Sequence, residues 1–168
     1  LRRLAEGLSA AGYATLRYDK RGIGESVQPE MSEGDLSFDD FINDLLGWLA
    51  WGAADERFSW LVPAGHSEGG LIALAAVAAP LARYPGLDAD TAGAARPDVT
   101  AVVTIAAAGR SIDEVVLSQL RPQLESSNPD LWERTQEILQ ALAQGRFVDD
   151  PPAELASLFR RSVQPFLM

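Results

Sequence analysis

The residues best suited to covalent chemistry in this 168-residue chain are Gly65-His66-Ser67-Glu68-Gly69. A serine hydroxyl is a poor nucleophile until a sharp turn lifts it clear of the chain and donors await the charge it creates. The G-x-S-x-G spacing suits such a turn, because side chains at its two ends would crowd a neighbouring strand and helix. The flanks fit as well. Phe58 to Ala64 reads as a strand running into the motif, and Leu71 to about Ala82 reads as a helix leaving it. On this reading Ser67 is the nucleophile, and Gly65, His66, Gly69 and Gly70 build the turn around it. The backbone N–H of Glu68 is one oxyanion donor, helped by the positive end of the helix. The bland alternative is a tight glycine-rich turn carrying an inert serine.

A nucleophilic serine needs a base, and the chain holds one His and no Cys. The missing Cys excludes disulfides, thiolate metal sites and a Cys nucleophile, and the single His excludes a multi-His metal site. His66 is adjacent to Ser67, but neighbours on a turn leave it in different directions. Packing or a local hydrogen bond is therefore the stronger reading for His66, and general base the weaker. Asp19 and Arg21 are expected to stabilise a turn rather than touch substrate. Gly22 and Gly24 lack the third glycine of a phosphate loop. Glu68 suits a helix N-terminus without any role as an acid catalyst. Asp113 and Glu114 read as a helix first turn, and Asp149 and Asp150 as a loop break. No metal or organic cofactor is implied. A net charge of -10 argues against nucleic acid as a partner.

The elements that must position Ser67 alternate. Leu1, Leu4 and Leu8 share a helical face, with Gly12 as its stop. Residues 13–18 are a short β-prone run before a turn at Asp19 to Gly24. Residues 25–35 read as loop. Ser37 caps a helix with Asp39 and Asp40 in its first turn, and its broad apolar stripe includes Phe41, Ile42, Leu46, Trp48 and Leu49. Residues 84–98 read as loop, and 99–107 as the clearest buried strand. Strands separated by helices imply an α/β fold with a parallel sheet. After residue 110 the pattern changes to three helices, over 111–126, 129–144 and 152–163. Ser111 and Asn128 are their N-caps, Pro129 a first helical residue and Gly145 a stop. The expected domains are thus a core over 1–110 and a helical cap or lid over 111–168.

These motifs resemble the α/β-hydrolase family, in its serine esterase and peptidase-like branch. Gly65 to Gly70 resembles the nucleophile elbow, Tyr18 to Ser26 the segment after the fourth strand, and Phe38 to Trp51 the next helix. Ala107-Ala108-Gly109-Arg110 resembles the end of the sixth strand, where many members insert a cap. The resemblance implies a serine hydrolase working through an acyl-enzyme on Ser67. It also implies that the triad acid, the catalytic His, a second oxyanion donor and the family's third strand, which in the sheet lies between the strands at 13–18 and 58–64, are outside this chain. The expectation is an interior fragment of a longer hydrolase, weak or inactive alone.

The expected substrate is a small carboxylic ester with an apolar group, since the last three helices carry extensive apolar faces. A thioester or peptide bond would suit the same elbow. A reading from another class is a non-catalytic module that self-associates through open sheet edges or the apolar cap. The longest apolar run is too short for a membrane span, and no signal peptide is visible. A soluble protein is expected, with the cytoplasm favoured over other compartments.

Overall fold

The computed structural model describes residues 1–28, 31–79 and 98–168. The chain divides into two compact units, Leu1–Ser32 and Glu33–Met168. The loop expected over 84–98 lies outside the described residues apart from Asp98.

In the first unit, α1 (Arg2–Ala10) ends where Gly12 turns left-handed at φ +92°. Gly12 N–H donates to Ser9 C=O (3.1 Å) and Tyr13 N–H to Leu8 C=O (3.0 Å), the paired bonds of a Schellman stop. Leu1, Leu4 and Leu8 share a face as expected, but all three are exposed, and no described residue of this unit is buried. The strand expected over 13–18 does not form. A β-prone run becomes a strand only when a neighbour takes its N–H and C=O groups, and no described residue pairs with this one in a ladder. The following turn is well built. The Asp19 carboxylate accepts the Glu25 N–H (3.2 Å), and the Asp19 carbonyl accepts the Ser26 hydroxyl (3.0 Å). Asp19 thus holds a turn, as the sequence implied.

The second unit opens on α2 (Phe38–Ala53). Ser37 and Asp40 form a reciprocal capping box, with Ser37 N–H to the Asp40 carboxylate at 2.8 Å and Asp40 N–H to Ser37 Oγ at 3.3 Å. Phe41, Ile42, Leu46 and Leu49 are buried, whereas Trp48 points outward and stays exposed. Next come β1 (Ala64–His66), α3 (Glu68–Ala78) and β2 (Val103–Ile105). The strands are parallel, pairing Ala64 with Val103, Gly65 with Thr104 and His66 with Ile105. Both are shorter than expected, and β1 overlaps the expected 58–64 only at Ala64, taking Gly65 and His66 of the motif into the strand. The ladder touches at Leu61–Val99 and resumes only at Ala64, because Pro63 has no N–H to give and contributes only its carbonyl, to Val103 N–H at 3.0 Å. Nor is β2 the buried strand its composition suggests. Val103 is 42% exposed, as no described element covers that face. Helix α3 stops at Ala78, and residues 80–82 of the helix expected to about Ala82 lie outside the described residues. Ala79 is extended (φ -63°, ψ 144°), the conformation forced on a residue before proline, here Pro80.

The remainder is helical: α4 (Ile112–Leu124), α5 (Pro129–Ala143) and the short α6 (Ala156–Phe159). Asn128 caps α5 through its side chain, which accepts Leu131 N–H at 3.2 Å. Gly145 (φ +72°) ends α5 with a second Schellman pair, Gly145 N–H to Leu142 C=O (2.8 Å) and Arg146 N–H to Ala141 C=O (2.9 Å). Ser111 precedes α4 but its side chain does not cap it. Its hydroxyl instead bonds the Asp113 carboxylate, which also accepts Glu114 N–H and is held below the usual carboxylate range mainly by Ser111. The helix expected over 152–163 is broken. After α6, Arg160 turns extended and sends its guanidinium to the Ser157 carbonyl and to Glu33. Val116, Ile138, Leu139, Leu142, Leu155, Phe159 and Leu167 form the core of this layer.

Candidate active site

Ser67 sits between β1 and α3 with φ 54° and ψ -123°. A side chain disfavours that backbone by about 1–3 kcal/mol, so it persists only where the surroundings over-determine it. Two backbone bonds do so. Ser67 N–H extends the parallel ladder one residue beyond β1, to Ile105 C=O at 2.9 Å. Ser67 C=O accepts Gly70 N–H at 3.0 Å, closing the first turn of α3. The hydroxyl is therefore carried on a strained corner, and Ser67 is exposed.

The glycines explain how helix and strand approach so closely. A Cβ on Gly65 would strike the backbone of Gly69 and Gly70. A Cβ on Gly70 would lie 2.5 Å from Ala107 Cβ and 3.4 Å from Thr104 Cβ. Gly69 differs, since a Cβ there would meet nothing within 4 Å. The motif's spacing suggested crowding at Gly65 and Gly69; the structure puts it at Gly65 and Gly70. The reason is helical geometry. Gly69 lies on the outer side of the first turn, while Gly70 faces β2.

Glu68 is the first residue of α3, so its N–H lies at the positive end of the helix, next to Ser67. His66, the last residue of β1, is exposed. Among the described residues, neither the His66 ring nor the Ser67 hydroxyl has a hydrogen-bond partner. The local hydrogen bond expected for His66 is thus not found among those residues. Asp113 is engaged with Ser111, and Asp149 and Asp150 lie exposed in the loop after α5. No hydrogen bond among the described residues brings any of these acids to Ser67.

A family model described as "Serine aminopeptidase, S33" matches residues 1–156. The chain belongs to this family. It is an α/β-hydrolase of the serine-hydrolase type, and its parallel strands with packed helices form part of that fold. No curated protein and no solved structure gives a significant match.

Two features of this hydrolase were not evident from its sequence. The first concerns the apolar residues after 110. Val116, Ile138, Leu139, Leu142, Leu155 and Phe159 are consumed in the core of the helical layer, with Leu120, Leu124 and Leu158 packed against it. Phe166 stacks on Phe41 of α2, ring centroids 5.7 Å apart. Val115 and Trp132 are outside that core and half-buried, and Ile112, Phe147 and Met168 stay exposed. The second is Ala106, left-handed at φ 49° immediately after β2. Alanine gives no signal of such a conformation, since Gly, Asn and Asp are the usual occupants. No described helix is long and apolar enough to cross a membrane.

Proposed function

We propose that Ser67 is the nucleophile of a carboxylic-ester hydrolase, and that the strained Ser67 corner is the observation supporting this most directly. Ser67 Oγ attacks the acyl carbon as its proton passes to a base. The Glu68 N–H and the α3 terminus stabilise the oxyanion. The alkoxide leaves with a proton, and water then cleaves the acyl-enzyme to release the acid. On this reading the base, its orienting acid and a second oxyanion donor come from outside these 168 residues, as the family resemblance implies, since the single imidazole belongs to His66, which leaves the turn in a different direction from its neighbour Ser67. Segment 111–168 acts as a cap, and an apolar acyl or alkyl group of the substrate lies beneath it. An ester suits this chain better than an amide. An amine leaving group must be protonated by a placed acid, whereas an activated alkoxide can leave with less help. The family description nonetheless keeps a peptide bond as the second reading.

The test is labelling with a fluorophosphonate, located by peptide mass spectrometry, alongside p-nitrophenyl acetate and an aminoacyl p-nitroanilide. Slow modification at Ser67, lost in Ser67→Ala, with little turnover of the ester and none of the anilide, is the expected result. Modification centred on another serine would overturn the nucleophile assignment. Ester turnover by this chain at ordinary enzyme rates would overturn the outside base, and faster turnover of the anilide would favour the peptidase reading.

A non-catalytic association module is supported by a different observation: Trp60, Val62 and Val103 are all exposed on or beside the two-stranded sheet. A light-scattering mass that stays monomeric with rising concentration would count against it.

A further inference from the structure

Among the described residues, two residues other than glycine have positive φ, Ser67 and Ala106. Their placement is coordinated. His66 pairs with Ile105 in the last rung of the parallel ladder, so Ser67 and Ala106 are the first residues past the same rung on neighbouring strands. Ser67 N–H crosses to Ile105 C=O at 2.9 Å, which ties one left-handed corner to the peptide that begins the other.

The connection closes into a ring. Beyond Ala106, the chain brings Ala107 Cβ to where a side chain on Gly70 would begin; a Cβ there would be 2.5 Å away. Gly70 N–H in turn donates to Ser67 C=O at 3.0 Å. Ser67 is therefore held on its N–H side by Ile105 and on its C=O side by Gly70, and the Ala106–Ala107 step joins the two. An ordinary right-handed or extended backbone at Ala106 would aim Ala107 elsewhere and unseat it from Gly70.

We propose that Ala106 is a positioning residue for the nucleophile: its left-handed backbone seats Ala107 on Gly70 and so clamps the Ser67 corner from both sides. This rests on the reading of Ser67 as nucleophile. Ala106 touches no reacting atom and acts through Ile105, Ala107 and Gly70.

The test compares Ala106→Gly, which accepts a left-handed backbone, with Ala106→Val, whose β-branched side chain opposes it. Two readouts are taken on the purified chain: Ser67 labelling by a fluorophosphonate, and hydrogen exchange of the Ser67 amide. Ala106→Val is expected to slow labelling and speed exchange by about tenfold or more, as small misplacements at a reacting group and local opening both do. Ala106→Gly is expected to remain within about twofold of the parent in both, a rescue that general loss of packing would not produce. Parent-like exchange in a folded Ala106→Val would overturn the clamp. If Ala106→Val does not fold, Ala107→Gly removes the seat on Gly70 without touching Ala106, and unchanged Ser67 exchange there would overturn the proposal equally. Absence of Ser67 labelling in the parent would sink the nucleophile reading alone, since exchange still decides the clamp.

Discussion

At the scale of single residues, the elbow depends on where a Cβ can exist. Gly65 has backbone on the side where its Cβ would project, and backbone cannot rotate away as a flexible side chain can. Gly65→Ala should therefore destabilise the chain by roughly 2–3 kcal/mol or prevent folding, as overpacking against fixed atoms does. Gly69→Ala should be neutral or stabilising by up to about 1 kcal/mol, since it fills open space inside a helix. Urea unfolding of the two variants would check this, and equal losses would mean that the elbow is not crowded as described. Both glycines are explicit in G-x-S-x-G, but their unequal burden is not. That inequality depends on which side of the first turn of α3 faces β2, a tertiary relation.

At the scale of elements, local capping chemistry was the most legible part of the chain. Ser37, Asn128, Pro129, Gly12 and Gly145 all stand at helix ends as their residue types imply, because caps are made by neighbours within a few residues. Strands were less legible. Residues 13–18 have strand composition without a ladder partner, and Pro63 interrupts a run that otherwise reads as continuous. Gln164 shows a contact no local pattern reveals. It is fully buried, and its side chain accepts Val148 N–H (2.9 Å) while donating to the carbonyls of Val148 (2.6 Å) and Phe159 (2.7 Å). It fastens the loop after α5 to the end of α6. Gln164→Leu should cost about 1–3 kcal/mol or more, because it strands backbone groups that water reaches poorly. An unchanged thermal midpoint would show that these groups find other partners.

At the scale of the whole chain, the second unit is joined along a polar seam. Arg160 grips the Glu33 carboxylate in a two-point ion pair (2.6 and 3.0 Å), and Ser162 Oγ adds a bond at 2.6 Å. Residues 127 positions apart in sequence thus meet, as Phe41 and Phe166 do in their ring stack. The bonds from Arg160, and then Ser162, hold the Glu33 carboxyl below its usual range. A carboxylate held ionised by the fold stabilises it above the ordinary Glu range, and this contribution fades as pH falls through the lowered folded value. Glu33→Gln should therefore lower the thermal midpoint modestly at neutral pH, the pair being half-exposed, and the gap to the parent should close in acid. A gap that stays constant down to strongly acidic pH would exclude the ion pair as its cause.

The sequence by itself determined the chemistry on offer and the punctuation of the chain: one serine in an elbow motif, one imidazole, no thiol, and helix ends marked by their caps. These depend on residue type and on bonds spanning a few positions. Only the tertiary structure decided that Ser67 is left-handed and tied to Ile105, that Gly70 rather than Gly69 is crowded, and that most of the apolar residues after 110 pack among themselves. Each of those outcomes requires two segments distant in sequence to meet, and a local pattern does not encode which face meets which.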